Sequence, residues 1–229
     1  MTLLVGMIGS DGIVLSADQS RVRPADAEGN FDDQMLGPKI YHIGRHGIAY
    51  AVAGDDLTDE IGYRLEQYIS EGSLESSENR APHLQDLVKR AIADIQAKRG
   101  APHKDELVVE RTILLVFYAA QPELWRIRIT PSLSAKPVSG ITVAGAFGNS
   151  ARFFEYYFQP NLPVQRLLPL AAHIVLMGGR IDTEMVKGLD VAIIQRGAHK
   201  FLDENEKAVL RERSENLDTS IREHLLRQR

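Results

Sequence analysis

The first eighteen residues constrain the fold more than any other stretch of this chain. Residues 2–8 and 13–18 are short apolar runs dominated by leucine and β-branched side chains, and Asp11-Gly12 lies between them. Asp-Gly between two such runs favours a tight antiparallel hairpin. A hairpin there holds the residue in front of it, Thr2, in a rigid place.

The rest of the chain repeats this alternation of hairpins and paired helices. Residues 20–38 are too polar for a core and read as a loop. Residues 39–43 and 48–52 form a second hairpin around Gly44-Arg45-His46-Gly47, and the small run Ala51-Val52-Ala53-Gly54 suits a strand end that something approaches closely. Asp55 and Asp56 complement the dipole at the start of a helix carrying Leu57, Ile61, Leu65 and Tyr68 at helical spacing. A second helix presents Leu84, Leu87, Val88, Ala91 and Ile95 and ends near Gly100.

Strands are then expected at 107–119, at 124–129 with one wet face bearing Arg126 and Arg128, and at 141–146. Gly148-Asn149-Ser150 reads as the cap of an aromatic helix. A helix opened by Pro163 runs to about Met177 before Gly178-Gly179, a last strand covers 189–194, and a thin-striped charged helix occupies about 201–229. Antiparallel strands with helices inserted in pairs point to an α+β four-layer αββα sandwich, two antiparallel sheets between helical layers, in one domain spanning 1–229.

Composition narrows the function. Of 229 residues, 44% are hydrophobic and 25% charged, which is globular, and the net charge of −4 argues against nucleic acid as a partner. With no cysteine, disulfides, thiolate metal sites and a cysteine nucleophile are excluded. The histidines show no metal-ligand spacing, so neither a metal nor a cofactor is expected. No signal-like or membrane-spanning segment is seen, and a cytoplasmic protein without membrane association is the expectation.

The chemistry centres on Thr2. Removal of a leading methionine favours a small second residue, and a threonine with a free α-amine carries both a hydroxyl nucleophile and a base. The reference pKa of such an amine, about 7.7–8.0, leaves a sizeable neutral fraction near neutrality. Lys39 beside it would lower that pKa and stabilise developing negative charge, and Asp18 would anchor the lysine. The alternative is that Thr2 is only a small second residue, Asp18 an incidental strand end and Lys39 a solvated side chain.

Several of these segments together resemble the proteasome β-subunit family of N-terminal threonine peptidases: Thr2-x-x-Val5-Gly6, Asp11-Gly12-x-Val14-Leu15-x-Ala17-Asp18, Lys39-Ile40-Tyr41-x-Ile43, Ala53-Gly54-Asp55, the strand at 112–118, Ala144-Gly145, and Asp182 ahead of Leu189-Asp190-Val191. That resemblance implies the N-terminal nucleophile hydrolase fold and an endopeptidase working through an acyl-ester. It implies Thr2 as nucleophile and base, Lys39 as its electrostatic partner, Asp18 as the anchor, and the Gly54 N–H as oxyanion donor. Asp182 and Ser150 would support the amine, although Met185 stands where the family has a serine. Val52 would line the pocket before the scissile bond, with Asp56 and Arg21 as charged neighbours. Unfolded protein or peptide substrates, self-association into rings or a helical washer, and an optional ATPase unfoldase partner complete what it implies. A catalytically silent structural subunit and a small-molecule amidohydrolase on the same fold are the alternatives.

Overall fold

Strands β1 (Leu3–Gly9) and β2 (Gly12–Ala17) form the expected first hairpin. Its two-residue connection is Ser10-Asp11 rather than Asp11-Gly12, because Gly9 pairs with Gly12. The Asp11 side chain is committed elsewhere: it accepts from the Val164 N–H at 2.8 Å and from Gln195 Nε2 at 3.0 Å. The turn residue therefore doubles as the cap of a later helix. This computed structural model describes residues 2–21, 35–44, 47–72, 80–99, 111–118, 120–130, 132–145, 152–181, 183 and 186–226.

Both ends of the expected loop over 20–38 pair as a small ribbon, β3 (Ser20–Arg21) with β4 (Met35–Leu36), and 22–34 lie outside the described residues. β5 (Ile40–His42) and β6 (Ile48–Ala53) follow, then α1 (Asp56–Ser70) and α2 (Arg80–Arg99). β7 (Arg111–Tyr118), β8 (Pro122–Ile129), β9 (Ser134–Val138) and β10 (Ile141–Gly145) come next. A 3-10 turn at Arg152–Tyr157 leads to α3 (Val164–Ile181), β11 (Asp190–Gln195), β12 (Ala198–Phe201) and α4 (Glu204–Leu226).

These strands build two antiparallel five-stranded sheets, ordered β10-β1-β2-β11-β12 and β5-β6-β7-β8-β9. Strand alternation sorts their side chains into three apolar layers. Leu3, Val5, Met7, Val14, Val191 and Ile193 face α3 and α4. Tyr50, Val52, Ile113, Leu115 and Phe117 face α1 and α2. Between the sheets lie Leu4, Ile13, Leu15, Ala49, Ala51, Ala53, Leu114 and Leu124. The α+β sandwich expected from the strand and helix order is the observed fold. Fully burying each of the larger side chains is worth about 1.5–3 kcal/mol, so the layers dominate its stability.

Four local expectations are corrected. β8 has no continuous wet face: Leu124 is buried between the sheets, while Arg126 is part-buried and only Arg128 is exposed. The aromatic segment is a 3-10 turn instead of an α-helix, with Phe153, Tyr156 and Tyr157 exposed; its expected cap at Asn149 and Ser150 lies outside the described residues. α3 continues through Gly178-Gly179. A Cβ at Gly178 would lie 2.5 Å from Leu3 Cδ2, and one at Gly179 would lie 2.9 Å from the Val186 carbonyl, so these glycines serve close packing and not termination. β12 follows the strand expected to be last, and β9, where no strand was expected, carries Pro137 on the sheet edge, where its missing N–H costs no ladder bond.

Candidate active site

Thr2 sits immediately before β1 and, by alternation, shares the inter-sheet face of Leu4. Two glycines let it lie there. Gly145, opposite Leu3, has φ +100°, and a Cβ on it would lie 1.8 Å from the Thr2 carbonyl oxygen. Gly178 leaves room for Leu3 on the other side.

Asp18 follows the end of β2, the strand paired with β1. Its Oδ1 accepts from the Leu3 N–H at 2.8 Å and its Oδ2 from the Ser20 N–H at 3.0 Å. Lys39 enters from the opposite sheet, just before β5. Its Nζ lies 2.9 Å from Asp18 Oδ2 and donates to Thr2 Oγ1 at 2.7 Å. Thr2, Asp18 and Lys39 are 5%, 0% and 4% exposed, so three residues far apart in sequence form one buried polar chain.

Electrostatics here are governed by desolvation. Burial pulls the Lys39 ammonium below its usual lysine value, against the opposing attraction and hydrogen bond of Asp18. Burial also pushes the Asp18 carboxyl up, opposed by Lys39 and by the Leu3 and Ser20 N–H groups. A lysine so placed can carry a neutral fraction, and a neutral amine 2.7 Å from a hydroxyl oxygen can take its proton.

The other expected residues are distributed unevenly. Gly54 follows β6 directly and is exposed, with φ +154°; a Cβ there would lie 2.1 Å from Thr58 Oγ1. Val52 is buried in the layer against α1, near Gly62. Asp56 is exposed in the first turn of α1. Arg21 is held by Asp59 through two bonds of 3.1 and 3.3 Å, by the Pro38 carbonyl at 2.7 Å and by the Tyr41 hydroxyl. It is thus tied into an ion pair rather than free toward solvent. Asp182, Ser150 and Met185 lie outside the described residues.

Three carboxylates have partners that the sequence did not reveal. Asp55 caps α1 and takes a two-pronged bond from Arg111, whose Nε lies 2.7 Å from Asp55 Oδ1. Asp59 pairs with Arg21. Asp190 accepts the Lys39 and Ile40 N–H groups at 3.2 and 3.3 Å. Only Asp55, beside the strand-end glycine, carried a local signal, as an N-cap. Among the described residues no cluster of metal ligands occurs, and no helix is long and apolar enough to cross a membrane.

No family model and no curated protein matches this sequence. Solved structures match its fold along nearly the whole length. A mutant Anbu from Hyphomicrobium sp. strain MC1 is similar at TM-score 0.71 and 12% identity, covering 100% of this chain and 98% of that one. The Anbu complex of Pseudomonas aeruginosa, described as a helical assembly, is similar at TM-score 0.72 and 15% identity, covering 99% and 97%. Anbu (ancestral beta-subunit) from Yersinia bercovieri is similar at TM-score 0.70 and 14% identity, covering 96% and 95%.

These likenesses establish the N-terminal nucleophile hydrolase fold. They also correct the resemblance to the proteasome β-subunit family, since the similar structures belong to Anbu, a related, proteasome-like family. The motifs behind that resemblance mark hairpins and strand ends of the sandwich itself. They report the shared architecture and do not separate one family built on it from another.

Proposed function

We propose that this chain is the subunit of a proteasome-like threonine hydrolase that cleaves peptide bonds in unfolded proteins or peptides. The observation that carries the reading is Lys39 Nζ at 2.7 Å from Thr2 Oγ1 and 2.9 Å from Asp18, in a buried site. Loss of whatever precedes Thr2 frees its α-amine. The Thr2 hydroxyl then attacks the substrate carbonyl carbon, its proton passing to the amine of Lys39 or of Thr2 itself. Collapse of the tetrahedral adduct breaks the C–N bond, the held proton goes to the leaving amine, and an ester remains on Thr2. Water hydrolyses that ester and restores the hydroxyl.

The Gly54 N–H is the oxyanion donor in this reading, supported by its exposed position directly after β6. Val52 with Asp56 and Arg21 would border the substrate pocket, and Asp182 and Ser150 would support the amine. Self-association, with an open helical washer favoured over a closed ring, is supported by the helical assembly of the Pseudomonas aeruginosa protein and by exposed Leu217 and Ile221 on α4. The particle would work in the cytoplasm as a single-domain subunit, with or without an ATPase unfoldase.

Intact-mass measurement after incubation with a β-lactone, an electrophile that acylates hydroxyl nucleophiles, tests the core of this. One adduct per chain is expected, localised to Thr2 and absent in Thr2→Ala. A Thr2→Ala variant that cleaves fluorogenic peptides as fast as wild type would remove the assignment. Elution well above the 25.5 kDa of one chain checks the assembly.

A further inference from the structure

Asp190 is the first residue of β11, and its register partner is Ala17, the residue just before Asp18. It is buried, and a buried carboxylate is costly unless its oxygens find donors. Oδ2 accepts two backbone donors from the opposite sheet, the N–H groups of Lys39 at 3.2 Å and Ile40 at 3.3 Å. Oδ1 lies 4.0 Å from the ammonium of Lys207, a buried residue of α4 whose Nζ also reaches Glu204 Oε1 at 3.0 Å.

The Lys39 backbone is therefore fastened twice. Its carbonyl accepts from the Val52 N–H of its own sheet at 3.2 Å, and its N–H is bound by a side chain from the other sheet. Asp18, just past the end of the strand adjacent to β11, holds the far end of the same side chain. Two aspartates at the ends of neighbouring strands of one sheet thus grip the two ends of a single lysine from the other. A lysine stem is a flexible four-carbon chain, so where its backbone is held decides how far Nζ must extend to reach Thr2. Misplacing a reacting group by about 1 Å can cost about 10²-fold in rate.

We propose that Asp190 is a positioning residue for Lys39, setting the reach of its amine to Thr2 Oγ1, with Lys207 of the C-terminal helix as the counter-charge that ties α4 to the site. This rests on Thr2 being the nucleophile. The groups facing the Lys39 amine are Asp18 and Thr2 from the first sheet, with Arg21 of β3 and Asp59 of α1 acting on it electrostatically.

The test is the rate of β-lactone acylation at Thr2 against pH, read by intact mass, with thermal melts alongside. Asp190→Ala is expected to acylate about 10²-fold more slowly and with a moved pH midpoint. Asp190→Asn, whose amide oxygen still accepts from both N–H groups, should recover to within about tenfold of wild type. If folded Asp190→Ala acylates at the wild-type rate and midpoint, the proposal is overturned. Should that variant fail to fold, Lys207→Met decides: a slower reaction with a moved midpoint supports the link through Asp190, and an unchanged rate and midpoint removes it. A wild-type protein that takes no label fails the nucleophile reading itself and this proposal with it, whereas a reactive wild type with insensitive variants fails this proposal alone.

Discussion

Two ion pairs lie near the strand ends of this molecule, and they behave oppositely. Lys39–Asp18 is buried at both ends, and there burial outweighs attraction: the carboxyl is pushed up and the ammonium pulled down. Arg111–Asp55 buries its arginine but leaves its aspartate about a third exposed. Burial also opposes ionisation of Asp55, yet the Arg111 bonds and charge, with the Thr58 hydrogen bonds, outweigh it and hold the carboxyl below its usual value. A guanidinium gives two parallel bonds and a charge that never leaves, which suits fastening the first turn of α1. An ammonium gives a point charge whose pKa burial can move, which suits a group proposed to exchange a proton with Thr2. In the proposed reaction the first pair serves reactivity, while the second fastens a helix start.

Removing Lys39 probes the sharpest side of that contrast. Lys39→Met is expected to slow acylation of Thr2 by about 10²–10⁴-fold, measured as label incorporation per folded chain. Lys39→Arg should be nearly as slow, because a permanently charged group cannot accept the proton. Equal rates for Lys39→Arg and wild type would collapse the distinction between the pairs.

In wild type, acylation should climb as pH rises through the lowered Lys39 pKa, a limb lying below the ordinary lysine value of about 10.4 and absent in Lys39→Arg.

Stability separates the pairs next. Lys39→Met alone leaves Asp18 buried without its ammonium and should cost about 3–5 kcal/mol, whereas Asp18→Asn with Lys39→Met, which removes both charges and keeps an acceptor for the Leu3 N–H, should cost less. The sign with pH follows from the shifts. Asp18 holds its proton more tightly when folded, so its contribution falls as pH rises from the ordinary aspartate value to its raised one. Lys39 holds its proton less tightly when folded, so its contribution recovers as pH rises from its lowered value toward the ordinary lysine value. Melts across pH should show both slopes in wild type and neither in the double variant.

Asp55→Ala removes the cap of α1 and the two-pronged partner of Arg111, and should cost about 3 kcal/mol in a denaturant titration. Its pH–acylation midpoint should stay at the wild-type value; a moved midpoint would show that the second pair also tunes the site. The smallest effect is expected at Gly178→Ala, about 1–3 kcal/mol, from crowding Leu3 under α3.

Much of this molecule is written locally. Alternating apolar residues in β1, β2, β6 and β7 commit each strand to two buried faces, and the 3.6-residue spacing of Ile61, Leu65 and Tyr68 commits α1 to one. Those periods are read from near neighbours in the chain, so the strand pairs, the paired helices and the layered class follow from sequence alone. The sequence also suggested that Thr2, Asp18 and Lys39 converge, and the structure brings the three within hydrogen-bond reach.

What the sequence hid depends on contacts distant along the chain. Gly178-Gly179 looks like a helix stop until Leu3 and Val186 are placed against it. Pro137 can sit in a strand only because β9 lies at the sheet edge. Asp190, 151 residues from Lys39, looks like one more strand residue until two sheets bring its carboxylate to the lysine's backbone. By itself the sequence determined the strands and helices, their apolar faces and the types of reactive side chain, since period and residue chemistry act over short range. The tertiary structure alone decided which buried charges meet, because desolvation and pairing depend on what surrounds a group in space and not on what precedes it in the chain.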